Sequence, residues 1–217
     1  MATEKQIKSR ERVVERGEVF TAEREVNAML DLVRQETERI DSRFLEPACG
    51  NGNFLVEILR RKLRIVHSDC DMVQAVCSIY GIDIMPDNVA ECRERLMAIV
   101  EECYHPLEGE LRETVRYVLQ RNILWGDALT LREPLPDTAT QAERNQAPSI
   151  TFSEWGFIAD RVKRKDYHLS ALMQAQSSPV PDLFSDIGEE AYLDPKPVRE
   201  FKPIHYLKLY TQDAAQQ

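Results

Sequence analysis

Glu46, Gly50 and Gly52 stand in the run LEPACGNGN (45–53), directly after a short apolar stretch. Glycines at that spacing let a backbone approach a ligand closely and tolerate unusual φ and ψ. An acid four residues ahead of Gly50, at the carboxyl end of a strand, can face a cationic or amino-bearing group. Further along, Asp83 ends a second apolar run, SIYGIDI (78–84), and Asp127 follows Leu124-Trp125-Gly126. Open α/β sheets bind ligands beyond the carboxyl ends of their strands, where an acid after strand two accepts from ribose hydroxyls. Asp127 is placed to accept from an exocyclic amino group on an adenine. A ligand with an amino acid at one end and a nucleoside at the other would use the whole set. Taken singly, each Asp serves as well as a helix cap; the ordered set is the more specific signal.

Other glycine turns fit less well. A Walker loop ends in Gly-Lys-Ser/Thr, whereas Asn53-Phe54-Leu55 follows Gly52. The dinucleotide fingerprint needs a third glycine near the helix start, and Leu55 stands there. A nicotinamide-dependent oxidoreductase is disfavoured on that ground.

The elements that must position these residues follow from periodicity. Val26, Met29, Leu30 and Val33 form the stripe of an amphipathic helix over 21–34, with Thr21 placed as its N-cap. A strand at 43–46 leads to the glycine turn and to a helix with Phe54, Leu55, Ile58, Leu59 and Leu63 inward. A buried strand at 78–84 precedes Pro86-Asp87-Asn88, a helix start, and Val89, Cys92, Leu96, Ile99 and Cys103 run along one side of the helix that follows. A further helix spans about 109–120. Strands follow at 121–125 and, after a polar loop over 128–148, at 149–152. Strand alternating with helix predicts an α/β domain with a mostly parallel sheet and helices on both faces. Residues 1–20 read as a charged helical lead-in, 21–175 as the domain, and 176–217 as a proline-rich extended tail with one candidate strand at 205–210.

Composition narrows the classes further. With 43% hydrophobic residues the chain can bury a core. It has no run of about 18 apolar residues, as a membrane span would require, and its charged start lacks the apolar stretch of a secretory signal, so a cytoplasmic protein is expected. Five cysteines without a C-x-x-C pair, and scattered histidines, predict reduced, mostly buried thiols and no metal site. A net charge of −9 does not suit a chain that grips nucleic acid over its whole surface. Arg161, Lys163, Arg164 and Lys165 nevertheless form a local basic cluster. A solvated face is its ordinary role, and any nucleic-acid contact would be local or shared with a partner.

The segments RGEVFTAEREVNAML, FLEPACGNGNFLVEILRRKL, SIYGIDIMPDNVAECRERL and NILWGDAL resemble the cofactor half of class I S-adenosylmethionine-dependent methyltransferases. The resemblance is closest to the N6-adenine DNA methyltransferases of restriction–modification systems and covers roughly residues 16–130. It implies a Rossmann-like class I methyltransferase fold, S-adenosylmethionine as cofactor, and DNA adenine as target. By the same resemblance Thr21, Glu46, Ala48, Gly50, Gly52, Asn53, Asp83 and Asp127 line the cofactor site, and the segment 17–21 closes over its methionine end. Ala22 stands where that family usually has proline.

Past residue 130 the resemblance weakens. The family carries an Asn/Asp/Ser-Pro-Pro-aromatic motif after strand four, and this chain has no Pro-Pro pair. In that place stands ITFSEWGF (150–157), where Ser153 takes the position of the first motif residue and Trp155 or Phe157 that of the aromatic that stacks on a flipped base. Ser153 and Trp155 are therefore the catalytic candidates, and a strand end with a buried tryptophan is the alternative. The later strands of the usual seven-stranded sheet and a target-recognition domain are hard to find, so the fold is expected to be truncated. Two functions follow: a DNA adenine-N6 methyltransferase aided by a partner subunit that supplies specificity, or a catalytically inactive methyltransferase-fold subunit of a larger DNA modification complex.

Overall fold

Three parallel strands carry the glycine turn and the two aspartates, in a mixed α/β computed structural model that describes residues 8–16, 18–136, 138–176 and 195–214. After α1 (Arg10–Arg16), α2 (Glu23–Asp31) and the short α3 (Arg34–Thr37) come β1 (Phe44–Glu46), α4 (Asn53–Leu63), α5 (Asp69–Cys77), β2 (Ile79–Asp83), α6 (Pro86–Cys103), α7 (Gly109–Asn122) and β3 (Ile123–Trp125). The sheet order is β1-β2-β3, with Glu46 beside Gly81 and Asp83 beside Trp125. Every residue of β2 is buried, as a parallel strand covered on both faces requires. Helix α4 packs on α6 and α5 on α7, and β2 touches all four. Leu55, Leu59, Val73, Val76, Ile82, Leu96, Val100, Val115 and Val118 fill the space between them.

Helix α2 begins later than the sequence predicts. Ala22, not Thr21, is its N-cap, with no side-chain hydrogen bond. Helix α5 went unseen in the sequence, although Ser68 caps it by accepting from the Asp71 amide at 3.1 Å. Lys62 on α4 is fully buried, and its ammonium donates to the carbonyls of Ile40 and Ser42 and to Ser78 Oγ. It also lies over the Phe44 ring at 5.1 Å. One lysine thus fixes where β1 starts against the β2 entry, and its burial lowers its pKa to about 7.

The fourth strand departs from expectation. Following α8 (Gln141–Gln146), β4 (Thr151–Ile158) does not join the parallel sheet. It forms an antiparallel hairpin with β5 (Arg161–His168), paired from Thr151↔His168 to Ile158↔Arg161. Two residues, Ala159 and Asp160, make the turn, and such a local pairing forms at little loop-closure cost. The hairpin meets the parallel unit through side chains: Tyr80 donates its hydroxyl to the Ser153 carbonyl at 3.0 Å and stands edge-on to Phe152. Trp155 Nε1 donates to Asn122 Oδ1 at 2.9 Å.

Helix α9 (Leu169–Gln176) follows β5, and the segment expected to be an irregular tail holds short regular elements among its described residues. Strands β6 (Arg199–Glu200) and β7 (Ile204–His205) pair antiparallel with β5. HYLKLY is mainly a 3-10 helix (Tyr206–Thr211) packed on α7 with Leu209 fully buried, not a strand. Arg164 anchors this end. Its side chain has 0% exposure, and it bonds Ser153, Asp166, Tyr117 and Asp213 while stacking 4.2 Å over Phe201. Burial pulls its pKa down, but the hydrogen bond to Asp166 and the neighbouring charges outweigh this and hold it above the ordinary guanidinium value.

Candidate functional site

The turn after β1 is built from left-handed glycines. Gly50 has φ +52° and Gly52, the N-cap of α4, has φ +90°. A Cβ on Gly52 would lie 2.6 Å from Cys92 Sγ of α6, and one on Gly50 would lie 3.0 Å from the Phe20 ring. Only glycine allows both the backbone path and the close approach of α6 and the lead-in. The turn is bound to β2, since the Cys49 amide donates to the Ile82 carbonyl at 2.9 Å and the Gly50 amide to Asp83 Oδ2 at 2.8 Å. Arg95 of α6 braces it from the side, donating to the Asn51 carbonyl and to Asn53 Oδ1.

Asp83 is 8% exposed. Its Oδ1 accepts from the Met85 amide at 2.8 Å and from Asn88 Nδ2 at 3.1 Å. Three of about four acceptor positions of the carboxylate are filled by the protein, so one lone pair is left for a ligand hydroxyl. Asp127 is held differently: Oδ1 accepts from the Leu129 amide at 2.8 Å and from the Thr130 amide at 3.4 Å, while Oδ2 has no protein donor among the described residues.

These residues surround one cleft of about 700 Å³ at the carboxyl ends of β1, β2 and β3. Thr21, Glu46, Ala48, Gly50, Asn53, Asp83 and Asp127 all line it, together with Phe20, Met85 and Asn88. Gly52 does not; it shapes the turn from behind. Thr21 contributes its carbonyl to the frame, accepting from Asn53 Nδ2 at 2.8 Å. Neither Ser153 nor Trp155 lines the cleft. They are 3% and 5% exposed in β4, with Ser153 Oγ donating to Asp166 Oδ1 at 2.7 Å and the Trp155 indole bonded to Asn122. Both face the packed side of the hairpin, so the structure uses them as framework.

The lead-in forms one wall. Glu18, Val19, Phe20 and Thr21 line the cleft. Arg12 of α1 bonds Glu18 at 2.8 Å and Asp87 at 2.6 Å, Lys8 pairs with Asp87 and Glu91, and Asn88 donates to Glu18 at 2.6 Å. The Arg12 hydrogen bond, with help from Lys8, holds the Asp87 carboxyl down at about 2. Asn88 thereby bridges Glu18 and Asp83, linking this wall to the acid after β2. Sequence reading missed Asn88 and Arg95, whose bonds to Glu18 and to the glycine turn span tens of residues, and held Glu18 only as part of the segment 17–21 that the resemblance implies. Only the Pro86-Asp87-Asn88 helix start hinted at Asn88.

Glu46 is the cleft carboxylate with the fewest protein donors among the described residues. It is half-buried, makes no ion pair among the described residues, and accepts only from the Ala48 amide. Burial pushes its pKa up, and the Ala48 amide only partly opposes this. The folded chain therefore retains a proton here to higher pH than the unfolded chain does, and stability falls as pH rises through that window. Glu46→Gln is expected to leave the protein at least as stable at pH 7, with the gain fading below about pH 4, where both states are protonated. Thermal melts at both pH values check this. A cation delivered by a ligand would remove the same penalty.

Among the described residues no group of three or more His, Cys, Asp and Glu is placed to hold a metal ion, and no helix is long and apolar enough to cross a membrane. Comparison with protein-family models, curated proteins and solved structures finds no match to this chain.

Proposed function

We propose that this cleft binds S-adenosylmethionine and that the chain is the cofactor-binding subunit of a DNA adenine-N6 methyltransferase of the restriction–modification type, with a truncated, Rossmann-like class I fold. The observation that carries the reading is the placement of Glu46, Asp83 and Asp127 at three successive strand ends around one cleft. The residues fit the cofactor in kind. Glu46 offers an uncompensated carboxylate to an ammonium, Asp83 keeps one acceptor position for a ribose hydroxyl, and Asp127 Oδ2 is open to an adenine amino group. A volume of about 700 Å³ lies within the range for such ligands. Bound there, the sulfonium would supply an activated methyl group.

The burial of Ser153 and Trp155 favours the subunit reading over a chain that transfers methyl groups alone. Methyl transfer needs an acceptor aligned with the methyl group, which is a proximity effect, and neither candidate reaches the cleft. DNA and the specificity-giving partner remain what the family resemblance implies. Two assays test the proposal. S-adenosylmethionine should raise the melting temperature where NAD does not, since a ligand that binds only the native state at 100 times its Kd adds about 2.7 kcal/mol. Labelled methyl groups should not reach duplex DNA from this chain alone. A shift with NAD but none with S-adenosylmethionine refutes the cofactor; DNA labelling abolished by Glu46→Gln refutes the non-catalytic assignment.

A further inference from the structure

The basic cluster singled out in the sequence is split by the fold. Arg164 turns inward, as described, while Arg161, Lys163 and Lys165 alternate onto the opposite face of β5, about 7 Å apart by strand geometry. Across from them in β4 stand Ile158, Gly156 and Glu154, so the middle of this face has no side chain at Gly156. Glycine inside a strand commonly marks a place where another molecule approaches the backbone. His205 stands opposite Arg161 and stacks on Tyr206 at 4.6 Å, and exposed Lys202 lies just before β7.

The carboxylates on this face already have partners. Glu154 holds Arg43 at 2.9 Å, Glu200 holds Lys163, and Asp160 faces His205 at 3.6 Å. Arg161, Lys165 and Lys202 make no ion pair among the described residues. Cations therefore outnumber acids here, on a chain whose net charge is −9.

We infer that this outer face of the β4–β5 hairpin docks on the phosphate backbone of duplex DNA, through Arg161, Lys163, Lys165 and Lys202. The inference rests on the DNA reading above and supplies the chain's own contact with that partner. Contacts to phosphate orient a protein on a duplex without reading its sequence, which suits a subunit whose specificity comes from elsewhere.

The test is fluorescence anisotropy with a labelled mixed-sequence duplex over a salt series, using the full chain. The wild type should bind at about 50 mM salt, with affinity falling by a log–log slope of about −0.9 per phosphate engaged. Arg161→Glu/Lys165→Glu should weaken binding at least tenfold and flatten the slope by about 2. Arg161→Gln/Lys165→Gln, which avoids new repulsion with Asp160, should weaken it less while melting like the wild type. No wild-type binding at low salt, unchanged binding by the glutamine variant, or equally tight binding to poly-glutamate overturns the proposal. Calorimetry with S-adenosylmethionine is run on the same samples. Cofactor binding without DNA binding sinks the docking face alone, and DNA binding without cofactor binding sinks the cleft assignment alone.

Discussion

Replacing Arg164 with alanine is expected to destabilise the fold by about 3–5 kcal/mol, the range for removing one partner of a buried ion pair. The guanidinium is fully buried between Asp166 and Asp213, so truncation leaves the buried Asp166 carboxylate without a cation, while Asp213 keeps Arg121. It also empties the space over Phe201. Asp213 belongs to the C-terminal segment and Asp166 to β5, so the loss should detach the 3-10 helix from α7 before the parallel sheet opens. Urea titration should show the lowered midpoint, and hydrogen exchange should show protection lost first over 199–213. Arg164→Met offers a control: it fills the space without charge, and pairing it with Asp166→Asn and Asp213→Asn should recover much of the loss. Melting of Arg164→Ala within about 0.5 kcal/mol of wild type would mean the network is not formed.

The second large effect belongs to Gly52. Alanine there must adopt φ +90° and place its Cβ 2.6 Å from Cys92 Sγ. Left-handed strain of about 1–2 kcal/mol adds to overpacking of about 1–3 kcal/mol, so a loss of about 2–4 kcal/mol is expected by denaturant titration. The two parts separate in a double-mutant cycle. Cys92→Ala removes the clashing sulfur and not the backbone strain, so the double variant should be more stable than the sum of the single losses predicts. Strict additivity would mean that α6 does not approach the turn as closely as described. The ligand should bind more weakly to Gly52→Ala even though Gly52 does not line the cleft, because the Gly50 amide and Asn53 move with it.

What the sequence revealed follows from where each signal lies. Helices α4, α6 and α7 are legible because their apolar stripes run at helical spacing, and β2 because a strand buried on both faces is a continuous apolar run. Of the seven expected residues that line the cleft, Glu46, Gly50, Asp83 and Asp127 were legible because each sits at a strand end or turn, whereas Thr21, Ala48 and Asn53 came only from the family resemblance. Strand β5 was not legible. Its inward positions include Arg164 and Asp166 beside Val162, and two charges that satisfy each other look like surface in a sequence. Strand β4 was placed in the parallel sheet because a short apolar run carries no information about its partner, and the hairpin partner was hidden for the reason just given. Ser153 and Trp155 went astray with it: their alignment with a catalytic motif presumed a strand ending at the cleft. Helix α8 had a readable start, Thr140-x-x-Glu143, which forms a full capping box, but the proline-containing loop around it obscured the signal.

Titration calorimetry with S-adenosylmethionine, on the wild type and on Asp127→Ala and Glu46→Gln, tests the central claim most directly. Asp83 is the less useful target, since it holds the turn as well as the cleft and its loss would confuse folding with binding. The account predicts one site per chain in the wild type, and at least tenfold weaker binding in each variant, from the loss of a hydrogen bond to a charged group worth about 1.5–3 kcal/mol. Glu46→Gln should melt no lower than the wild type, and Asp127→Ala somewhat lower because Oδ1 caps the Leu129 and Thr130 amides. Wild-type binding that neither variant weakens, or no binding at all, would contradict it.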